Sequence, residues 1–204
     1  MKLFIIHHNI CLLKKSCSKP FIEKINLCKI KNDKCCDYYF GINKFIYHLN
    51  NKEELLNDEI IGIVDAKYNA KFHKVCRLEY LNAINYDKEF IYSPDLSSSW
   101  YEKSIEKMPI CKDFMDDVIS HNNFEKNKQS IFSNNFICHK NILKTFCSWY
   151  VKNFDIFYEK YQNLVFQNPK KDKEFFYERL TAIYFANIHI KQSTLTETSK
   201  LFMI

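Results

Sequence analysis

Along the chain, short unbroken apolar runs alternate with longer stretches in which apolar residues recur every three to four positions. Lys2–Ile6 (KLFII) is the first run, stopped by His7-His8-Asn9, and it reads as a buried strand. Glu59–Val64 (EIIGIV) is the clearest: β-branched, apolar, and followed at once by Asp65-Ala66-Lys67. Continuous apolar character suits strands covered on both faces, so these two runs are expected as neighbouring central strands. Glu89–Tyr92 (EFIY), closed by Ser93-Pro94-Asp95, and Ser130–Cys138 (SIFSNNFIC) are further strand predictions, and Ala186–Ile190 is expected to lead into a last strand.

Helical spacing marks the other segments. Gly41–Asn50 places Ile42, Phe45, Ile46 and Leu49 on one stripe, and residues 75–86 and Asp113–Ile119 also look helical. From Asn141 to Tyr161, the positions Ile142, Phe146, Trp149/Tyr150, Phe154, Phe157 and Tyr161 describe a long amphipathic helix. Beyond Asn168-Pro169 a second helix is predicted over Lys173–Asn187, with Phe176, Leu180 and Ile183 on one face and Phe175, Ala182 and Phe185 on another. A helix apolar on two sides is expected to be largely buried, and the helix from Asn141 is expected to pack on the sheet. Residues 10–37 look irregular, and the Ser/Thr-rich tail from Ser193 is expected to fray. This order of elements implies one mixed α/β domain over 1–204, with a buried sheet and C-terminal helices.

Composition fits that picture. The chain has 204 residues, 47% hydrophobic and 26% charged, with 18 Phe and 13 Tyr, so the apolar side chains needed for a packed core are abundant. Only 2 glycines occur, and neither a GxGxxG nor a GxxxxGK[ST] phosphate loop is present. The net charge of +6 has two readings: attraction to an anionic partner, or general solubilisation by lysine. The lysines are spread along the whole chain and Arg occurs only at Arg77 and Arg179, which argues against a nucleic-acid binder. Nine cysteines at odd count, without CxxC or zinc spacing, read as reduced and mostly buried thiols. Cys35-Cys36 beside Asp37 is the one pair with metal or redox character. With no signal-like segment after Met1-Lys2 and no apolar run of membrane-spanning length, the expected location is the cytoplasm or its membrane face.

Several residues invite chemistry. Glu178 sits among Phe175, Ala182 and Phe185, and a carboxylate desolvated among aromatics has a raised pKa unless a cation pairs with it. That makes it a candidate general base; a structural bridge to a loop is the alternative. Arg179 lies about 100° round the helix and need not be its partner. Asp65 and Lys67 flank the exit of the best strand, where α/β proteins contact ligands. There Asp65 would hold a divalent cation, manganese or magnesium, and Lys67 would place a point charge on a diphosphate. The alternative is an ordinary polar exit. His7 and His8 end the first strand, either at a nucleotide or simply exposed. Asp113, Asp116 and Asp117 look like a metal cluster, but the helical phase puts Phe114 and Val118 on the core side and the acids on a solvated face. His139 and Asn134-Asn135 form a polar patch before the long helix, for binding or capping.

The order of motifs resembles a family of bacterial glycosyltransferases of capsule and lipopolysaccharide clusters, the DUF4422-type enzymes. The resemblance is carried by Phe4-Ile5-Ile6-His7-His8, by Lys19-Pro20-Phe21-Ile22 and by Phe45-Ile46-Tyr47-His48-Leu49-Asn50. It continues through Gly62-Ile63-Val64-Asp65-Ala66-Lys67-Tyr68, then Asn135-Phe136-Ile137, Trp149 and Glu178-Arg179-Leu180. Asp65-Ala66-Lys67 stands where the family has His-Tyr-Arg-Arg. The resemblance implies a GT-A-like three-layer fold, a nucleotide-sugar donor, and a glycan or lipid-linked glycan acceptor in surface polysaccharide synthesis. It assigns Glu178 a catalytic role, His7, His8, Asp65, Lys67 and Arg179 to the donor, and Asn135 and Trp149 to the acceptor. A non-catalytic interaction protein on the same fold is the alternative.

Overall fold

The computed structural model describes residues 1–7, 11, 20–30, 41–65, 90–93, 96–126, 128–131, 134–166, 170–188 and 191–193. In chain order the elements are β1 (Lys2–His7), β2 (Ile22–Asn26), α1 (Gly41–Asn51), β3 (Ile60–Asp65), β4 (Phe90–Tyr92), β5 (Leu96–Ser97) and α2 (Trp100–Lys107). They continue with α3 (Lys112–His121), β6 (Ser130–Ile131), β7 (Phe136–His139), α4 (Lys140–Phe166), α5 (Lys170–Asn187) and β8 (Lys191–Ser193). The predicted helix at 75–86, the Cys35-Cys36 pair and the tail beyond Ser193 lie outside the described residues. Among the described residues no helix is long and apolar enough to cross a membrane.

Six strands form one mixed sheet in the order β2-β1-β3-β7-β4-β8. The expected central pair is adjacent: β1 runs parallel to β3, with Phe4 opposite Ile63 and Ile5 opposite Val64. β2 is parallel to β1, β7 is antiparallel to both β3 and β4, and β8 is parallel to β4. β7 therefore runs against the rest of the sheet.

The pleat sends Phe4, Ile6, Ile61, Ile63, Phe136 and Cys138 into one core with α1, α3, α4 and α5. Phe136 meets Phe146 of α4 and Phe185 of α5 edge-on, at ring-centroid separations of 5.7 and 5.0 Å. The opposite face, Leu3, Ile5, Val64 and Ile137, is buried as well, which accounts for the unbroken apolar runs. On that face Gly62 leaves room for its two flanking strands. A Cβ there would sit 2.5 Å from Leu3 Cδ1 and 2.8 Å from Ile137 Cγ1. Gly62→Ala is expected to destabilise by about 1–3 kcal/mol through overpacking. That appears as a lower urea midpoint at constant slope; an unchanged midpoint contradicts the close approach.

The structure departs from the sequence reading in several places, and residues 10–37, read as irregular, contain the strand β2 at Ile22–Asn26. The segment Ser130–Cys138 is not one strand: Ser130-Ile131 pairs with Leu96-Ser97 in a separate two-stranded sheet, while Phe136–His139 enters the main sheet. Asn134 and Asn135 separate them, and their side chains bond elsewhere. The last strand starts at Lys191, because α5 carries on through Ala186 to Asn187. Helix α2 had no sequence prediction, since its buried face is Trp100 and Ser104, and one of these is polar.

The aspartates of α3 behave as the helical phase predicts. Phe114 and Val118 are buried, while Asp116 accepts from Lys112 and Lys126, each at 2.7 Å, and from Tyr101. Burial pushes its carboxyl up, but these donors outweigh that and bring it down to about 2. Asp117 is bonded by Lys160 and Tyr161. Cys111, Cys138 and Cys147 are buried apolar fillers, and burial raises the Cys111 thiol to about 11. Cys11 and Cys28 are exposed.

Candidate functional site

Because β7 is reversed, it starts at the edge where β1, β3 and β4 end. His7, Asp65 and Ser93 mark those strand ends, and Asn134-Asn135 leads into β7. At Asp65 the backbone N–H donates to Asn135 Oδ1 at 2.7 Å. The Asn135 carbonyl accepts from the buried Ser93 hydroxyl at 2.8 Å. The ends of β3 and β4 are thus joined to the start of β7 through one asparagine.

Helix α5 closes the group from the side. Glu178, Thr181 and Ala182 lie at spacings of three and four on α5 and meet Ser130 and Asn134. Ser130 Oγ donates to the Ala182 carbonyl at 2.5 Å, the Thr181 hydroxyl donates to Asn134 Oδ1, and the Asn134 N–H donates to Glu178 Oε1 at 3.2 Å. Glu178 Oε2 accepts from Arg179 Nη2 at 2.9 Å. Arg179 Nη1 donates to Ser104 Oγ at 3.0 Å, and Ser104 donates in turn to the Trp100 carbonyl at 2.7 Å.

The adjacent pair Glu178–Arg179 was not required by helical phase, yet it forms, because the long arginine side chain folds back beside the carboxylate. Burial pushes the Glu178 carboxyl above its ordinary range; the Arg179 charge and the Asn134 N–H oppose this, the negative charge of Asp65 adds to it, and the balance is upward. Asp65 and Glu178 are linked through the neighbouring residues Asn135 and Asn134, which bond to them in turn.

The other candidate residues divide. His7 is 2% exposed, so the reading of an exposed strand end does not hold for it. His8 and Lys67 lie outside the described residues. Arg179, assigned to the donor by the resemblance, is 6% exposed and donates to Glu178 and Ser104. Trp149 is not brought to the group: its indole N–H donates to Asn122 Oδ1 at 3.1 Å, and its ring stacks on Phe124 and leans on Tyr184. Tyr184 is six residues beyond Glu178, about 9 Å along the helix axis. His139 caps α4, its Nδ1 accepting from the Asn141 N–H at 3.2 Å.

Ser93, Ser104 and Thr181 were not singled out by sequence, and Asn134 only as part of a polar patch for binding or capping. Each bonds to a position at least 42 residues away, so local pattern carries no signal for them. Ser104 is the partial exception, since its spacing of four from Trp100 marks an inward face.

The expected divalent cation finds little here. Among the described residues no group of three or more His, Cys, Asp or Glu is placed to hold a metal. Glu178 already faces a guanidinium, which leaves Asp65 as the one carboxylate of this group to meet an ion that takes six or more oxygens.

No family model matches the chain, and no curated protein matches it. Among solved structures, it superposes on the apo structure of WbbM, a bifunctional glycosyltransferase, with a TM-score of 0.57 at 12% identity. The superposition covers 95% of this chain and 44% of that one, so this chain spans less than half the length of that protein. The fold is therefore a mixed α/β fold resembling that of a glycosyltransferase.

Proposed function

We propose that this chain is a GT-A-like transferase that moves a sugar from a nucleotide-sugar donor to a hydroxyl of a glycan or lipid-linked glycan, in surface polysaccharide synthesis on the cytoplasmic side. The observation that carries this reading is a carboxylate of raised pKa, Glu178, beside a strand-end carboxylate, Asp65, in a glycosyltransferase-like fold. Transfer forms a bond from the acceptor oxygen to the sugar C1 and breaks the bond from C1 to the donor phosphate. The acceptor hydroxyl proton needs a base. Two of the four lone-pair sites of Glu178 are used by Asn134 and Arg179, which orient the carboxylate and leave sites for that proton. Asp65 and the following Lys67 are assigned to the donor side, Lys67 as a point charge for the departing diphosphate.

One observation favours a non-catalytic interaction protein. Both oxygens of Glu178 and both terminal nitrogens of Arg179 meet protein partners, as they would in a structural ion pair. A melting screen against UDP-, GDP-, CMP- and dTDP-sugars, with and without manganese, separates the two. A donor at 100 times its Kd adds about 2.7 kcal/mol, which raises Tm by roughly 5–10 °C for a chain of this size. A flat response to all four classes at millimolar concentration removes the transferase reading.

A further inference from the structure

We infer that Asn135 is a positioning residue that fixes Asp65 at the donor site, and that its side chain does not contact the acceptor. This rests on the proposal that Asp65 meets the donor. The side-chain carbonyl of Asn135 receives the Asp65 N–H at 2.7 Å. Its own main chain is held by Ser93, which is fully buried, and its predecessor is held twice, by Glu178 and by Thr181.

Asn135 is 8% exposed and Asn134 7%, so neither presents an open surface to a sugar. The four bonds come from β3, from the residue after β4 and from two turns of α5. They converge on two adjacent residues with no regular structure of their own. The amide side chain at 135 supplies a neutral acceptor oxygen to the N–H of Asp65, the last residue of β3. An aspartate there would accept the same N–H but add a third negative charge beside Asp65 and Glu178. A residue that acts through another shows itself by non-additivity.

The test is a double-mutant cycle on nucleoside diphosphate binding, with UDP, GDP and dTDP as probes in calorimetry. Asp65→Asn, which removes the carboxylate but keeps the backbone N–H, and Asn135→Ala, which removes the hydrogen bond that places it, are each expected to weaken binding about ten-fold. The double variant should be no weaker than the weaker single one. Losses that multiply to about a hundred-fold overturn the inference. So does wild-type affinity in Asn135→Ala while Asp65→Asn is impaired, an outcome that leaves the transferase reading standing. Wild-type affinity in Asp65→Asn removes Asp65 from the donor site, and the inference with it. Should Asn135→Ala not fold, Asn135→Leu carries the same cycle, because it keeps the side-chain volume and removes the acceptor oxygen.

Discussion

Replacing Glu178 by glutamine is expected to lower sugar transfer by about 10²–10⁴-fold, with nucleotide binding retained. The change removes a proton acceptor and leaves the side-chain volume almost untouched. It also has a structural cost. Glu178 offers one oxygen to the Asn134 N–H and the other to Arg179, and a glutamine has one oxygen for these two donors. One donor is left facing an NH₂ group, which costs about 1–3 kcal/mol. Turnover must therefore be counted per folded molecule.

The pH dependence gives a second signature. A base works deprotonated, so the wild-type rate should rise as pH climbs through the raised value of Glu178. Stability should move the opposite way. A group whose folded pKa lies above its unfolded value contributes stability that is complete below the unfolded pKa and is lost as pH rises through the folded one. The catalytically active charge state is thus the less stable one, and Glu178→Gln should flatten both trends. A glutamine variant that melts lower yet turns over normally would end the catalytic assignment and leave the transferase reading in place.

Removing the partner should do more damage to the fold. Arg179→Met keeps much of the aliphatic volume but leaves Glu178 buried without its cation. Breaking a buried pair in this way costs about 3–5 kcal/mol, roughly 6–20 °C in Tm for a chain of this length. Glu178 then responds by binding a proton more tightly, because its opposing positive charge is gone. The loss should be largest at neutral pH and shrink under mildly acidic conditions. Glu178→Gln combined with Arg179→Met should recover part of it, since no charge then remains unpaired. Thermal melts of the three variants at two pH values decide the matter. A loss below about 1 kcal/mol at both would mean that the pair carries no buried charge.

The sequence by itself determined the elements whose apolar pattern is local. The runs at Lys2 and Glu59 had to be interior strands, since no exposed edge suits residues apolar on both faces. The stripes through Phe45, Phe146 and Phe176 had to be helices, and the two-sided pattern of α5 foretold its burial. That pattern also singled out Glu178, because a carboxylate among aromatic neighbours is conspicuous without any knowledge of the fold.

Tertiary structure decided the rest, and the reason is that backbone partners and polar contacts are chosen at long range. Nothing local separates Ser130-Ile131 from Phe136–His139. They part because one strand finds Leu96-Ser97 and the other finds β3, which runs antiparallel to it. The direction of β7, invisible in its four residues, is what carries Asn134 and Asn135 to the ends of β1, β3 and β4. Arg179 could have pointed at solvent, a phosphate or Glu178, and its choice is fixed by Ser104, 75 residues earlier. Trp149, assigned to the acceptor by the resemblance, is placed by the fold with its ring stacked on Phe124 and tilted against Tyr184. Patterning fixes which side chains must be buried; only the assembled sheet and helices fix which polar atoms meet there.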